Sequence, residues 1–235
     1  MMELAIIAAG EGSRLKTEGV SVSKPMVKIN GTPMIKRIID IAVKSGIKSA
    51  NCIINENSID LKRFLTNENF PIPVKVIVKT TQSSLHSLYE LSKVISTPFL
   101  LTTSDSIFLE NEFADFVSFA MDKTEADAVF AITDFVDDEK PLYVSVKENF
   151  EISGFHDENK GYEYVTGGLY LFKRNINREI EEAVNGGMER LRNFQRYLIK
   201  RDFKIDGYRF SKIIDVDHAD DIKKAENFLF RNKVK

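Results

Sequence analysis

Residues 3–15 read Glu-Leu-Ala-Ile-Ile-Ala-Ala-Gly-Glu-Gly-Ser-Arg-Leu, and residues 23–29 read Ser-Lys-Pro-Met-Val-Lys-Ile. The first stretch opens on a short, continuous apolar run at 4–8, the pattern of a strand buried on both faces. It passes directly into a loop bearing Gly10 and Gly12. Glycines let a backbone approach a ligand closely, and successive free N–H groups in such a loop form an anion-binding concavity. Arg14 and Lys24 add fixed positive charge. The chemistry of this stretch is that of a triphosphate site. It lacks the third glycine of the dinucleotide fingerprint and the Gly-Lys-Ser/Thr of a P-loop, so both of those sites are disfavoured. For a glycine loop taken alone, a plain βα turn is the competing reading.

Working outward, strands and helices alternate through the first half. Thr32 as N-cap and Pro33 at the first helical position predict a helix to Lys44, ended by Gly46. Ile35, Ile38, Ile39, Ala42 and Val43 fall at helical spacing within it. Further strands are expected at 48–54, 74–79 and 99–102. Ser58 is expected to cap a short helix to Leu65, and Ser83 or Ser84 one to Val94; another helix spans 111–121. This βαβαβαβ order implies a mostly parallel, doubly wound sheet. The second half changes character. Strands at 128–132, 142–146, 151–155 and 164–172 have no long helix between them, which predicts an antiparallel or mixed extension. Helices at 176–184 and 188–200, a strand at 204–210 and a closing helix at 218–230 complete the chain. The expectation is an α/β fold, a Rossmann-like doubly wound mixed sheet. It forms a single domain over 1–235, with a nucleotide-binding half at 1–122 and an acceptor-binding half at 123–235.

Composition narrows the function classes. Of 235 residues, 43% are hydrophobic, enough for a full core. A net charge of −2 gives no electrostatic footprint for nucleic acid, so any phosphate site must be local. Cys52 is the sole cysteine, which excludes a disulfide framework and a cysteine-rich metal site. Its apolar surroundings at 50–54 mark it as a core residue. Residues 1–9 read as a strand rather than a signal peptide, and no apolar run approaches a membrane span. A cytoplasmic chain that binds neither nucleic acid nor membrane is expected. His86 and His156 read as structural or substrate-wall residues. Arg190, Arg192, Asn193, Gln195 and Arg196 read as the solvated face of a helix, with a phosphate-contacting patch or a dimer contact as alternatives.

In open α/β sheets, ligands bind outside the carboxyl ends of the strands. Asp105 ends the run Leu100-Leu101-Thr102-Thr103-Ser104-Asp105, so it and the glycine loop point to one edge. Asp105 reads either as a cap or Asx-turn residue or as a ligand of Mg²⁺, for which one or two carboxylates suffice beside phosphate oxygens. A second acidic source is Ile214-Asp215-Val216-Asp217-His218, where strand alternation would put Asp215 and Asp217 on one side. Capping of the final helix is the competing role for Asp217. The metal reading is preferred because two acidic sites far apart in sequence both sit at element ends.

The run from Ala8 to Leu15, with Lys24-Pro25-Met26, resembles the nucleotidyltransferases (pyrophosphorylases) that activate sugar 1-phosphates and related phosphate monoesters. Asp105 resembles that family's first metal aspartate, and residues 213–221 resemble its second metal motif. Thr166-Gly167-Gly168-Leu169-Tyr170-Leu171-Phe172 is similar to its sugar-side glycine strand. The resemblance spans nearly the whole chain. It implies the nucleotide-diphospho-sugar transferase fold, Mg²⁺ as cofactor, and an NTP and a phosphorylated small molecule as substrates. Arg14 and Lys24 are then the catalytic residues. Ala8, Ala9, Gly10, Glu11, Gly12 and Ser13 hold the nucleotide, with Gln82, Ser83 and Ser84 near the base. Asp105, Asp217 and Asp215 are the metal residues. Glu139, Tyr143, Glu163, Thr166, Gly167 and Gly168 are the acceptor candidates.

The chain departs from the family pattern in places. The usual proline and threonine between the arginine and lysine are missing, and His218-Ala219 replaces the usual Thr-Pro. Ser87-Leu88-Tyr89 and the Asp-Val-Asp pattern stand closer to the choline-phosphate cytidylyltransferase branch. A sugar-phosphate nucleotidyltransferase is the leading reading. A cytidylyltransferase for phosphocholine or another phospho-alcohol is second, and a molybdopterin guanylyltransferase stands further off. A non-catalytic nucleotide-binding regulatory domain is the reading from a different class, against which the set Arg14, Lys24, Asp105 and Asp217 weighs. An aromatic pocket at Tyr143, Phe155 and Tyr164 would favour a choline-type cation, a polar one a sugar. Homo-oligomerisation is left open.

Overall fold

The computed structural model describes residues 2–137 and 139–233; Met1, at the head of the expected first strand, lies outside them. In chain order the first half holds β1 (Glu3–Ala8), α1 (Ser13–Thr17), a 3₁₀ turn (Lys24–Met26), β2 (Lys28–Ile29), β3 (Thr32–Pro33), α2 (Met34–Lys44), β4 (Ser49–Ile54), α3 (Ile59–Asn67), β5 (Val74–Val78), α4 (Ser84–Ser92), β6 (Phe99–Thr103), β7 (Ser106–Ile107) and α5 (Glu110–Asp122). There follow β8 (Ala128–Thr133), β9 (Tyr143–Val146), β10 (Ile152–His156), β11 (Tyr164–Phe172), α6 (Asn177–Asn185), α7 (Leu191–Lys200), β12 (Ile205–Phe210), β13 (Ile214–Asp215) and α8 (Ala219–Lys233).

Alternation along β1 fixes the layering. Ala5 and Ile7 face one side, where Leu85, Leu88, Ile180, Phe194 and Leu198 of α4, α6 and α7 cover them. Leu4, Ile6 and Ala8 face the other, covered by Ile35, Ile38, Leu61, Phe113 and Phe116 of α2, α3 and α5. Both faces are therefore dry, as the continuous apolar run requires. Cys52 on β4 is part of this core, and burial pushes its thiol up to about 12.

The strands run β5-β4-β1-β6 in parallel, and β11 then pairs antiparallel with β6. The expected parallel half and antiparallel extension are both present. One edge of β11 is taken by β8, to which β12 adds in parallel. The other edge is shared: β6 takes Leu169–Phe172 and β9 takes Tyr164 and Val165. Between those two contacts lie Gly167 and Gly168, where the sheet opens beside the carboxyl ends of β1 and β6.

One local expectation fails. Thr32 and Pro33 are not a cap and a first helical residue; they pair with Ile29 and Lys28 in a small hairpin, and α2 starts at Met34. Asn30 and Gly31, with φ of 49° and 81°, form the kind of turn that closes a two-residue hairpin. That turn draws the next two residues into β3. Among the described residues, no helix is long and apolar enough to cross a membrane.

Candidate active site

The loop after β1 reaches α1 through Gly12, whose φ is 61°. A side chain there would be strained, and its Cβ would stand 3.0 Å from the Lys24 Cβ. Gly12 thus lets two distant segments meet. Among the described residues, none accepts a hydrogen bond from the N–H groups of Gly10, Glu11 or Gly12. Lys24 is held from the other side: the Ser23 N–H donates to Asp60 Oδ2 at 2.8 Å, and the Ser23 hydroxyl donates to Asp60 Oδ1.

Two short elements bring the carboxylates in. β13 pairs antiparallel with β7, placing Asp215 opposite Ser106, and the Val216 N–H donates to the Asp105 carbonyl at 3.1 Å. Leu15, Val27, Ile107, Ile214, Val216 and Leu229 form the apolar cluster beneath this junction. Asp105 and Asp217 are therefore neighbours across 112 positions of sequence. The Lys24 Nζ stands 2.5 Å from Asp105 Oδ2 and 2.5 Å from Asp217 Oδ1. The Arg14 Nη1 adds a contact of 2.8 Å to Asp217 Oδ2. Burial opposes the Lys24 ammonium, but the two aspartates outweigh it and raise its pKa above the ordinary lysine value. Burial likewise opposes the Asp105 carboxylate, but Lys24 overcomes this and holds it below the usual range.

These groups line an open cleft of about 320 Å³ with Gly10, Gly12 and Ser13. Two carboxylates aimed at one cationic position beside a phosphate-sized cleft suit a hard divalent ion. Among the described residues no cluster of three or more His, Cys, Asp or Glu donors forms, so water or substrate oxygens would have to complete such a coordination shell.

Asp215 departs from the alternation argument. β13 ends at Asp215, and Asp217 lies beyond it, so the two carboxylates part company. Asp215 accepts from the Ser106 hydroxyl at 2.8 Å and lines a second cavity of about 340 Å³. Thr103 and Asp105 line both cavities, which makes them adjoining compartments. Asp217 is not the helix cap either. Asp221 accepts the N–H groups of Asp217 and His218, at 3.1 and 2.8 Å, and leaves the Asp217 carboxylate to Lys24 and Arg14.

Thr166 and Gly168 line the second cavity, together with Ser84, Tyr170, Arg190 and Gln195. Gly168 has a φ of 74°, and a Cβ there would meet the Ser106 Oγ at 2.5 Å and the Thr103 Oγ1 at 3.1 Å. Gly167 lines a smaller neighbouring cavity with Asp215. Glu139 and Tyr143 line an outer cavity of about 660 Å³, where Glu139 also approaches the Arg14 Nη2 at 3.4 Å and the His218 Nε2 at 3.3 Å. Glu163 lines none of these; burial and the Glu163 carboxylate raise the pKa of the neighbouring Tyr164 hydroxyl. Glu11 and Gln82 are exposed, whereas Ala8 and Ala9 are buried at the end of β1. Ser83 caps α4 and donates to the Glu189 carbonyl, while the Ser84 hydroxyl accepts the Leu191 N–H at 3.0 Å. Both serines thereby tie α4 to the segment leading into α7.

The reading of α7 as a solvated face holds for Asn193 and fails for Gln195, which is 2% exposed. Leu191, Phe194, Gln195 and Leu198 are the buried residues of this helix, at i, i+3, i+4 and i+7. That stripe was visible in the sequence. His86 is bonded to Ser83 at 2.9 Å, and His156 stacks on Tyr162 at 4.1 Å.

A glycine loop, a lysine and two convergent aspartates at the carboxyl edge of a doubly wound sheet define a protein that handles phosphorylated nucleotides. The chain belongs to the nucleotidyl transferase family, whose model matches residues 4–229, and it is a nucleotidyltransferase. The bifunctional IPC transferase and DIPP synthase of Aquifex aeolicus is 24% identical over 248 residues, covering 100% of this chain and 54% of that protein. The chain thus spans about half the length of that relative. The UTP–glucose-1-phosphate uridylyltransferase AglF of Haloferax volcanii is 25% identical over 240 residues, covering 97% of this chain and 96% of that one. The inositol-1-phosphate CTP transferase of T. maritima shares the fold with a TM-score of 0.81 at 17% identity, covering 97% of this chain and 95% of that one.

Proposed function

We propose that this nucleotidyltransferase joins an NTP to a phosphorylated small molecule of the sugar 1-phosphate kind and releases pyrophosphate. The observation that carries the reading is the Lys24 ammonium held between Asp105 and Asp217 where the two cavities adjoin. Such a position lies between an NTP in the first cavity and an acceptor in the second. An acceptor phosphate oxygen attacks the α-phosphorus. A new P–O–P bond forms, the bond from the α-phosphorus to the β-bridging oxygen breaks, and pyrophosphate leaves with the electron pair. A phosphate monoester is already anionic, so positioning and charge neutralisation dominate and no strong general base is needed.

In this reading the free N–H groups of Gly10, Glu11 and Gly12, with Ser13, cradle the triphosphate. Arg14 holds the β- and γ-phosphates and the leaving pyrophosphate. Lys24 exchanges its carboxylate partners for the α-phosphate and the attacking phosphate. Asp105 and Asp217 would hold Mg²⁺, which supplies neutralisation of phosphate charge when bound. Asp215, Thr166 and Gly168 belong to the acceptor side, and the region of Gln82 to the base side.

The second cavity supports a polyhydroxylated acceptor over a choline-type cation. Among the described residues, Tyr170 is its one aromatic lining residue. Tyr143, Phe155 and Tyr164, whose gathering into one pocket would favour a choline-type cation, line an outer cavity, a different cleft and the core respectively. The named substrates of the Haloferax and T. maritima proteins, glucose 1-phosphate and inositol 1-phosphate, are also polyol phosphates. The test is Mg²⁺-dependent pyrophosphate release with each of the four NTPs against glucose 1-phosphate, inositol 1-phosphate and phosphocholine. Release with a polyol phosphate is expected. Release with phosphocholine alone would transfer the reading to the cytidylyltransferase branch. Silence with intact NTP binding would favour a regulatory domain.

A further inference from the structure

We infer that Gln195 is a specificity-determining residue that reads a hydroxyl of the acceptor; this rests on the reaction proposed above. Gln195 is 2% exposed and lines the second cavity beside Asp105, yet its Oε1 has no hydrogen-bond partner among the described residues. Its side chain lies beside the Tyr170 hydroxyl, as does that of Thr166. The amide therefore stands against Tyr170 at the cavity wall and carries a buried oxygen that no protein group pairs among the described residues.

Packing alone does not call for an amide here. The neighbouring buried positions of α7 are Leu191, Phe194 and Leu198, and a leucine or methionine would fill the same stripe without burying an unpaired carbonyl oxygen. A buried acceptor without a donor is destabilising unless something brings the donor. The cavity of about 340 Å³ is large enough to admit one. A sugar or cyclitol hydroxyl can donate to Oε1; the quaternary ammonium of a choline-type acceptor has no hydrogen to give. Swapping the amide's oxygen and nitrogen would change only the sign of the contact, because Tyr170 can donate as well as accept. One polar atom would still be left for the ligand. A site built around a hydrogen bond to a substrate hydroxyl rejects analogues lacking it far more strongly than an apolar pocket rejects a missing methylene.

The test compares Gln195→Leu and Gln195→Glu with the parent, using glucose 1-phosphate, inositol 1-phosphate and phosphocholine as probes. For Gln195→Leu the KM of the polyol phosphate should rise about tenfold or more, while the KM of the NTP stays within about twofold. The melting temperature should be equal or higher, since the orphaned oxygen is gone. Gln195→Glu, which keeps an acceptor oxygen, should retain more of the polyol preference than Gln195→Leu. A purely structural role would move the melting temperature and leave the acceptor KM untouched, and that result overturns the inference. If the parent protein turns over none of the probes, the reaction reading fails separately. The inference then stands only if a polyol phosphate raises the melting temperature of the parent and not of Gln195→Leu; no shift in either protein overturns it.

Discussion

Replacing Lys24 by methionine tests the electrostatics of the site without any substrate. Methionine keeps much of the lysine stem and removes its charge. The Asp105 and Asp217 oxygens that each lie 2.5 Å from Nζ stand at most twice that distance apart, and both carboxylates lose their shared cation. Two bare unit charges at about 5 Å repel by about 3 kcal/mol at an effective dielectric near 20. Breaking a fully buried pair costs about 3–5 kcal/mol. Side-chain exposures of 24% for Asp105 and 33% for Asp217 place this site below that limit. A loss of about 2–3 kcal/mol follows, or about 4–12 °C in melting temperature for a domain of this size. The lost cation can be replaced from outside. Millimolar Mg²⁺ should restore much of the stability of Lys24→Met and move the parent protein little, because its own ammonium already holds the position. Thermal unfolding with and without Mg²⁺ at matched ionic strength is the assay. An unchanged melting temperature, or a variant indifferent to Mg²⁺, would refute the claim that Lys24 compensates this carboxylate pair.

Arg14→Ala should behave oppositely: Arg14 is 45% exposed, so the fold loses no more than ~1 kcal/mol. Pyrophosphate release should nevertheless fall by about a hundredfold or more, and a variant of full activity would remove Arg14 from the mechanism. Gly168→Ala should destabilise by about 1–3 kcal/mol in urea unfolding, since it combines a positive φ with a Cβ 2.5 Å from the Ser106 Oγ. Asp60 gives a pH signature. Burial raises its pKa, but the hydrogen bonds from Ser23 prevail and hold it below the usual carboxylate range. Its contribution is therefore present above the unfolded value of about 4 and lost as pH falls through the folded value. The stability gap between the parent and Asp60→Ala should shrink from pH 7 to pH 3; a constant gap would exclude the Ser23 contact as its source.

Much of this arrangement was legible in the sequence because it depends on strands. The apolar run at 4–8 announces a doubly buried strand, and any residue placed just after such a strand lies at the binding edge of a parallel sheet. The glycine loop and Asp105 are both placed that way. What strand order cannot convey is the angle at which short segments cross. β7 and β13 hold two residues each, too few to show a period, yet their pairing sends Asp215 to one cavity and Asp217 to the other. Alternation takes residues 214–218 as one extended segment and so places both aspartates together. Gln195 departs from its expected place for a different reason. Its polar character points to solvent, although the stripe of Leu191, Phe194 and Leu198 runs through its position. A polar residue on an apolar helical stripe is either bonded within the core or held for something outside it. For Gln195 the structure shows a buried amide oxygen left without a partner among the described residues, on a residue that lines a cavity. The position where sequence and packing disagree is thus the one where a ligand can account for the residue.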